Sequence, residues 1–130
     1  MEPRHILVVD DDPDIRAVIT INLTRLGHRV STAADGRAAT AAVASTKFDL
    51  VITDLLMPDK EGLELIKELR ATSASMPIIA MSGGGRNAPG GYLDIARRFG
   101  AQAVLKKPFA SAELAKAING VFQSDKIATP

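Results

Sequence analysis

The stretch that decides the fold is Ile6-Leu7-Val8-Val9-Asp10-Asp11-Asp12-Pro13. A short apolar run that ends abruptly in carboxylates is typical of a strand buried on both faces. Asp12 followed by Pro13 predicts a helix start, because aspartate is a favoured N-cap and proline suits the first helical position. The stretch therefore predicts a strand that leads directly into a helix, which is the repeating unit of a parallel sheet.

The same strand-to-helix pattern recurs along the chain. Apolar runs predict further strands at about 50–53, 78–81 and 102–106, and a less apolar stretch predicts a weak strand at about 29–33. Helical spacing predicts helices that end at Gly27, run from Asp35 to about Ser45, and cover about 60–72, 92–99 and 111–122. Five such units with short connections predict an α/β fold, a doubly wound five-stranded parallel sheet of the flavodoxin-like (βα)5 type with strand order 2-1-3-4-5.

Some local features carry their own predictions. The first helix is expected to bury one apolar stripe, made of Ile15, Val18, Ile19, Leu23 and Leu26. Ser111 is expected to cap the last helix, and the final residues from Ser124 to Pro130 are expected to form a frayed tail. His5 and His28 have no acid or ligand partner at a suitable spacing, so both are expected at surface or edge positions.

Composition limits the function classes. The chain has 130 residues, so we expect a single domain over residues 1–130, with a core at about 5–122 and a tail at 123–130. Sixteen basic and fifteen acidic residues give a net charge of +1, which offers no electrostatic argument for direct nucleic-acid binding. The absence of cysteine excludes disulfides and thiolate chemistry. Without a secretory signal or a long apolar run, we expect no membrane insertion and a cytoplasmic location.

Polar residues follow four of the predicted strands where those strands end. Asp10 and Asp11 follow the first strand and Asp54 follows the third, and these strands are neighbours in the predicted order. Because the carboxyl ends of parallel strands meet at one edge, the three carboxylates are expected to crowd together. Crowded carboxylates repel one another unless a cation lies among them, and their oxygens favour a hard ion such as Mg²⁺. The sequence therefore predicts a magnesium site.

Ser82 and Lys107 complete a site suited to an incoming phosphoryl group. Ser82 follows the fourth strand and Lys107 follows the fifth. A metal and a lysine neutralise phosphoryl oxygens, a hydroxyl donates a hydrogen bond to them, and a carboxylate acts as nucleophile. Asp54 is the preferred nucleophile because it stands alone at its strand end, whereas Asp10 and Asp11 are better placed to hold the metal.

Four segments of the chain resemble the signature of response-regulator receiver domains. They occur in the order and spacing of that family and span residues 6 to about 122. The segments are Ile6-Leu7-Val8-Val9-Asp10-Asp11-Asp12, Val51-Ile52-Thr53-Asp54-Leu55-Leu56-Met57-Pro58, Met81-Ser82-Gly83 and Lys107-Pro108-Phe109. The resemblance implies a phosphorylation-dependent signalling switch, in which Asp54 accepts a phosphoryl group from a sensor histidine kinase or a histidine phosphotransfer protein.

The resemblance also implies a ligand set for Mg²⁺. Asp11 and Asp54 would bind the ion through their side chains, Asp10 would assist through water, and the backbone carbonyl of Leu56 would complete the protein ligands. Activity beyond Mg²⁺-assisted self-phosphorylation and autodephosphorylation is not expected, so the chain is not expected to be an enzyme in the ordinary sense.

The same resemblance implies which groups respond to phosphorylation. At one position the chain departs from the family pattern. Ser82 would be the hydroxyl that moves onto the phosphoryl group, Lys107 would contact that group, and the Lys107–Pro108 bond would be cis. Most receivers carry an aromatic residue three positions before the site lysine, acting as a rotameric switch. This chain has Val104 there, so aromatic reorientation at that position cannot be the output signal.

Two further departures concern the loops beside the site. The glycine-rich stretch after Ser82, residues 83–91, is longer than is usual in the family. Leu56 and Gly84 occupy positions that influence attack of water on the acyl phosphate, and neither side chain can orient a water by hydrogen bonding. We therefore expect a phosphorylated state that lasts longer than in receivers with polar groups at these positions.

The main hypothesis is a stand-alone receiver that changes its binding to a downstream protein. The changed surface would be the fourth helix, the fifth strand and the fifth helix, with contacts from Arg97, Arg98, Lys106 and Lys116. A phosphorelay intermediate is an alternative within the same class. An alternative of another class is a small haloacid-dehalogenase-type phosphohydrolase with Asp10 as nucleophile. An FMN-binding flavodoxin is rejected, because the aspartates after the first strand would repel its phosphate.

Overall fold

The computed structural model describes residues 3–55, 62–73, 75–83, 96–98 and 100–128, and of 124–128 only the backbone. Its strands are β1 (His5–Val9), β2 (Arg29–Ala33), β3 (Leu50–Asp54), β4 (Ile78–Gly83) and β5 (Ala103–Lys107). Its helices are α1 (Pro13–Arg25), α2 (Gly36–Ser45), α3 (Gly62–Thr72) and a last helix (Ser111–Ala128), and residues 96–98 are also helical. In the described part of the chain, no helix is both long enough and apolar enough to cross a membrane.

All five strands are parallel and form one sheet in the order β2-β1-β3-β4-β5. The predicted α/β class and strand order are therefore confirmed. β1 and β3 lie side by side, with Val9 paired to Thr53. The residue after each partner is an aspartate, so the register alone brings Asp10 and Asp54 to neighbouring positions at the carboxyl edge of the sheet.

The core consists of two apolar clusters, one on each face of the sheet. Successive side chains of a strand point to opposite faces, so Ile6 and Val8 belong to one cluster and Leu7 and Val9 to the other. The helices that cover the first of these faces are α1 and the last helix, through Ile19, Leu23, Leu114, Ile118 and Val121. The helices that cover the second face are α2 and α3, through Ala39, Leu65, Ile66 and Leu69. Burial on both faces explains why β1, β3 and β4 consist mainly of apolar residues.

The ends of α1 follow the sequence prediction, but its buried stripe is narrower. Asp12 is the N-cap and its side chain accepts a hydrogen bond from the Asp14 N–H at 2.9 Å. Gly27 follows the helix with φ +94°, a conformation that favours glycine. The prediction that Val18 is buried was wrong, since Val18 is 56% exposed. The stripe that packs against the sheet runs through Ile15, Ile19 and Leu23, which are spaced four residues apart. The Val18 side chain lies beside this stripe and faces solvent.

Three other local predictions differ from the structure. His28 is buried rather than at the surface, because the turn at Gly27 brings its N–H to the Leu23 carbonyl at 3.1 Å and its Nδ1 to the Arg4 N–H at 3.1 Å. Ser111 is the first residue of the last helix rather than its cap, and the Glu113 carboxylate accepts from the N–H of Ala110. The helix continues to Ala128, so the expected tail is helical to that residue. The predicted helix at 92–99 lies within the described residues only at 96–98.

Gly62 at the start of α3 provides a test of how tightly this helix approaches β3. A Cβ atom at Gly62 would lie 2.6 Å from the Leu55 Cα and still closer to the Asp54 carbonyl oxygen. These are backbone atoms that cannot rotate away, so Gly62→Ala is expected to lower the free energy of unfolding by about 2–3 kcal/mol. The measurement is urea unfolding followed by circular dichroism. As the control, Gly120→Ala meets no atom within 4 Å and is expected to raise that free energy by up to about 1 kcal/mol. Equal effects of the two variants would contradict the argument.

His28 is expected to make stability depend on pH. Burial, followed by the nearby charge of Arg4, lowers the pKa of His28 below its ordinary value of 6.5. The neutral ring is therefore the form that the fold favours, and stability is lost as pH falls below 6.5, when the unfolded chain takes up the proton first. His28→Asn keeps a side-chain acceptor for the Arg4 N–H without titrating. Unfolding free energies measured from pH 8 to pH 5 are expected to fall less steeply in His28→Asn than in the wild type; parallel curves would refute the assignment.

Candidate functional site

Three carboxylates meet at the carboxyl edge of the sheet. Oxygen atoms of Asp10, Asp11 and Asp54 all lie within 4.8 Å of one another. Asp10 is 1% exposed and Asp54 is 6% exposed, whereas Asp11 is open to solvent. The crowding predicted from the strand order is therefore present, with two members of the cluster buried and one facing outward.

Asp10 is held by contacts on both its backbone and its side chain. Its N–H donates to the Ala33 carbonyl at 3.2 Å, which continues the pairing with β2 beyond the strand end. Its carbonyl accepts from Nη1 of Arg16 at 2.7 Å, and its Oδ1 accepts from the Asp12 N–H at 3.0 Å. The sequence analysis did not predict this contact of Arg16. The available signal was the position of Arg16 in the first turn of α1, shortly after the aspartates. These contacts fix the Asp10 carboxylate at the edge of the sheet.

Asp54 is positioned by the backbone on either side of it. The Leu55 N–H donates to the Met81 carbonyl at 2.9 Å and the Gly62 N–H donates to the Leu55 carbonyl at 2.9 Å. The hydroxyl of Thr53 donates to the Asp54 carbonyl at 3.0 Å. Because α3 begins in contact with this backbone, the close approach allowed by Gly62 also sets where the Asp54 carboxylate lies.

Lys107 brings a positive charge into the cluster. Its Nζ lies 2.5 Å from Asp10 Oδ2 and 3.4 Å from Asp54 Oδ2. Burial by itself would lower the pKa of Lys107, but the hydrogen bond to Asp10 and the charges of Asp54 and Asp10 outweigh burial and raise that pKa above its ordinary value. Lys107 is therefore an ammonium ion shared between two buried carboxylates. The predicted cis bond between Lys107 and Pro108 is present.

Ser82 lies next to this cluster and contacts the backbone of its own strand. Met81 is the register partner of Asp54, so Ser82 stands one residue farther out on β4. Ser82 is 3% exposed, and its hydroxyl donates to the Gly83 carbonyl at 3.3 Å. The structure thus brings together Asp10, Asp11, Asp54 and Lys107, with Ser82 on the adjoining strand. Leu56 and Gly84 lie outside the described residues.

The donor set fits a hard divalent cation. The three carboxylates supply only oxygen atoms, which is the ligand type that Mg²⁺ prefers. Their mutual spacing allows one ion to contact all three, and the exposed Asp11 provides access from solvent. Lys107 balances only part of the carboxylate charge, so a bound cation would remove the remaining repulsion.

Comparison with known proteins places this chain among receivers. The sequence pattern of the response regulator receiver domain matches residues 6–119. The chain is 38% identical over 125 residues to the DNA-binding transcriptional regulator NtrC of Azospirillum brasilense, covering 96% of this chain and 25% of that protein. It is 31% identical over 129 residues to the alkaline phosphatase synthesis transcriptional regulatory protein PhoP of Bacillus subtilis, covering 98% and 52% respectively. The chain thus spans a quarter to about half the length of these relatives.

Two solved structures of similar length share this fold. The Vibrio cholerae chemotaxis protein CheY4 superposes with a TM-score of 0.84 at 32% identity, covering 92% of this chain and 99% of that one. The Thermotoga maritima response regulator TrrA, solved in complex with Mg²⁺ and BeF, superposes with a TM-score of 0.80 at 30% identity, covering 91% and 98%. These matches agree with the four motifs and with the geometry of the acidic cluster. The chain therefore belongs to the response regulator receiver domain family of two-component signalling.

Proposed function

We propose that Asp54 accepts a phosphoryl group from a sensor histidine kinase or a histidine phosphotransfer protein, and that the chain acts as a phosphorylation-controlled binding switch. The observation that carries this proposal is the ammonium of Lys107 held against Asp10 and Asp54 at the edge of a three-carboxylate cluster. A site of this kind supplies a nucleophile, a cation for the phosphoryl oxygens and ligands for a metal within a few ångströms.

The transfer is a displacement at phosphorus. A carboxylate oxygen of Asp54 attacks the phosphorus of a phosphohistidine, a P–O bond forms, the P–N bond breaks, and the imidazole leaves with the electron pair. Lys107 is close enough to Asp54 to contact the phosphoryl oxygens as they arrive. Both oxygens of Asp10 already have partners, Lys107 on one and the Asp12 N–H on the other, and attack by Asp10 would break these contacts. This also argues against a phosphohydrolase that uses Asp10.

Asp10, Asp11 and Asp54 would hold Mg²⁺, with the Leu56 carbonyl as a further proposed ligand. The bound ion would neutralise phosphoryl oxygens during the transfer. The Mg²⁺ and BeF complex of TrrA, whose chain resembles this one along almost its whole length, supports this assignment. The chain's own contribution is to keep the carboxylates at fixed positions through the backbone contacts of Asp10 and Asp54.

Ser82 is the proposed responding group. Its hydroxyl donates to the adjacent Gly83 carbonyl, a weak contact at 3.3 Å. A phosphoryl group on Asp54 would offer charged acceptor oxygens beside it, and a charge-assisted hydrogen bond is stronger than a neutral one. The hydroxyl would then turn toward the phosphoryl group and draw the end of β4 with it. This movement would raise the population of molecules that present a changed binding surface. In a phosphorelay, onward transfer would start from the same phosphorylated Asp54. That the chain acts as a stand-alone receiver remains a prediction.

Loss of the acceptor is the direct test of this function. Incubation with acetyl phosphate and Mg²⁺ is expected to add one phosphoryl group to the wild type, detected by intact mass. Asp54→Asn is expected to abolish the adduct, whereas Asp12→Asn, at a helix cap outside the cluster, is expected to retain it. An adduct that survives in Asp54→Asn and disappears in Asp10→Asn would favour the hydrolase instead.

Lys107→Met is expected to strengthen binding of Mg²⁺. The substitution keeps an apolar stem of similar length and removes the ammonium that holds Asp10. A tenfold gain in affinity corresponds to about 1.4 kcal/mol of competing attraction removed, and a gain of about this size is expected. Titration calorimetry with MgCl₂ measures it. The same variant is expected to take up phosphoryl groups more slowly, and weaker Mg²⁺ binding would contradict the assigned position of Lys107.

A further inference from the structure

The peptide group between Asp10 and Asp11 lies where β1 leaves the sheet, and it sets the relative placement of two of the three carboxylates. The N–H of Asp10 still pairs with the Ala33 carbonyl of β2 at 3.2 Å. Parallel pairing beyond that point would need a further N–H from the neighbouring strand, but β2 ends at Ala33 and α2 begins at Gly36. Asp10 is buried as a whole residue, so its carbonyl needs a hydrogen-bond donor from another part of the protein.

Arg16 supplies this donor from the first turn of α1. Its Nη1 donates to the Asp10 carbonyl at 2.7 Å. The backbone of Arg16 is itself held on both sides. Its N–H donates to the Asp12 carbonyl at 3.1 Å, and its carbonyl accepts from the Thr20 hydroxyl at 2.7 Å. The contact between Arg16 and Asp10 therefore closes the loop of residues 10–16 between the end of the strand and the helix.

Asp11 lies inside this loop, and its position depends on the loop backbone. Its side chain is exposed and, within the described residues, forms no hydrogen bond or ion pair. Asp10 and Asp54 differ from it in this respect, because both carboxylates contact the Lys107 ammonium. An oxygen of Asp11 nevertheless lies within 4.8 Å of oxygens of the other two acids. With like charges beside it and no partner of its own, Asp11 stays within reach of them only if its backbone is held.

The charge of Arg16 allows a positioning role to be separated from an electrostatic one. Its guanidinium is bound to a neutral carbonyl and forms no ion pair with a carboxylate of the described residues. A positive charge beside an acidic cluster opposes the binding of a cation, so loss of that charge alone would strengthen Mg²⁺ binding. Loss of a contact that orients a metal ligand has the opposite sign and typically weakens metal binding by about 10–100-fold.

We propose that Arg16 is a positioning residue of the magnesium site. By holding the Asp10 carbonyl, it fixes the peptide group between Asp10 and Asp11 and keeps the Asp11 carboxylate where it can share a cation with Asp10 and Asp54. Arg16 acts through the backbone and makes no contact with the cation in this role. The proposal rests on the proposed function, since the cation is the one that phosphoryl transfer to Asp54 would use.

Titration calorimetry with MgCl₂ tests the sign of the effect. Arg16→Met keeps an apolar stem and removes the donor, so it is expected to weaken Mg²⁺ binding by about tenfold or more. Arg16→Lys keeps a charged donor, and because the contact uses one N–H, this variant is expected to recover most of the affinity. Arg25→Met removes the same charge from the last turn of α1 and is expected to bind like the wild type. Unchanged or stronger binding in Arg16→Met would overturn the proposal.

A measurement on the wild type keeps the proposal testable if Arg16→Met fails to fold. In ¹⁵N-labelled wild-type protein, the side-chain Nε–H signal of Arg16 is expected to shift when MgCl₂ is added, because its guanidinium is joined to the backbone of the site. The Nε–H signal of Arg25, at the other end of α1, is expected to stay in place and provides the internal control. An Arg16 signal that does not respond while the amide of Asp11 shifts would overturn the proposal.

Phosphorylation separates this proposal from the proposed function. With acetyl phosphate and limiting Mg²⁺, Arg16→Met is expected to form the Asp54 adduct about tenfold more slowly than the wild type, as measured by intact mass. At saturating Mg²⁺ the two rates are expected to converge, because the variant changes only the affinity for the cation. A defect that persists at saturating Mg²⁺ alongside wild-type Mg²⁺ affinity would overturn the positioning role alone. A wild type that binds Mg²⁺ but never forms the Asp54 adduct would overturn the proposed function alone.

Discussion

Repulsion among three carboxylates at one edge of the sheet is the constraint on which the rest of the site depends. Two like charges 4 Å apart repel by about 4 kcal/mol at the effective dielectric constant of a protein surface. The parallel register makes this repulsion unavoidable, because Val9 pairs with Thr53 and the next residues are Asp10 and Asp54. The protein offsets part of it with the Lys107 ammonium, which leaves the site short of positive charge. That shortage is what makes the site receptive to a cation.

The sequence was sufficient to predict the features that depend on local chemistry and on strand order. The Asp12-Pro13 helix start and the helix end at Gly27 follow from capping and backbone conformation. The apolar runs of β1, β3 and β4 follow from burial on both faces. Once the strand order is known, the meeting of Asp10, Asp11 and Asp54 follows from topology. The cis bond before Pro108 came instead from the family resemblance, since proline permits the cis form without requiring it.

What the sequence could not predict depends on contacts between distant segments. Val18 and Ile19 are adjacent and both apolar, and only the angle at which α1 packs decides that Ile19 is buried and Val18 is exposed. His28 is covered because the segment around Arg4 closes over it, a contact 24 residues away in the chain. The hydrogen bond from Arg16 to the Asp10 carbonyl likewise depends on where the first turn of α1 lies relative to the end of β1. Patterns of residue type indicate which residues are candidates for such contacts, but they do not fix the distances.

The pairing of β4 with β5 joins the acidic cluster to the outer edge of the sheet. Ser82 is the register partner of Lys106, and Gly83 is the register partner of Lys107. The strand end that would follow Ser82 toward a phosphoryl group is thus hydrogen-bonded to the strand that carries Lys107, Lys106 and Val104. Packed strands do not deform continuously, so a movement at this edge selects between discrete arrangements of β5 and its neighbours. With Val104 in place of an aromatic residue, no ring reports that movement at this position.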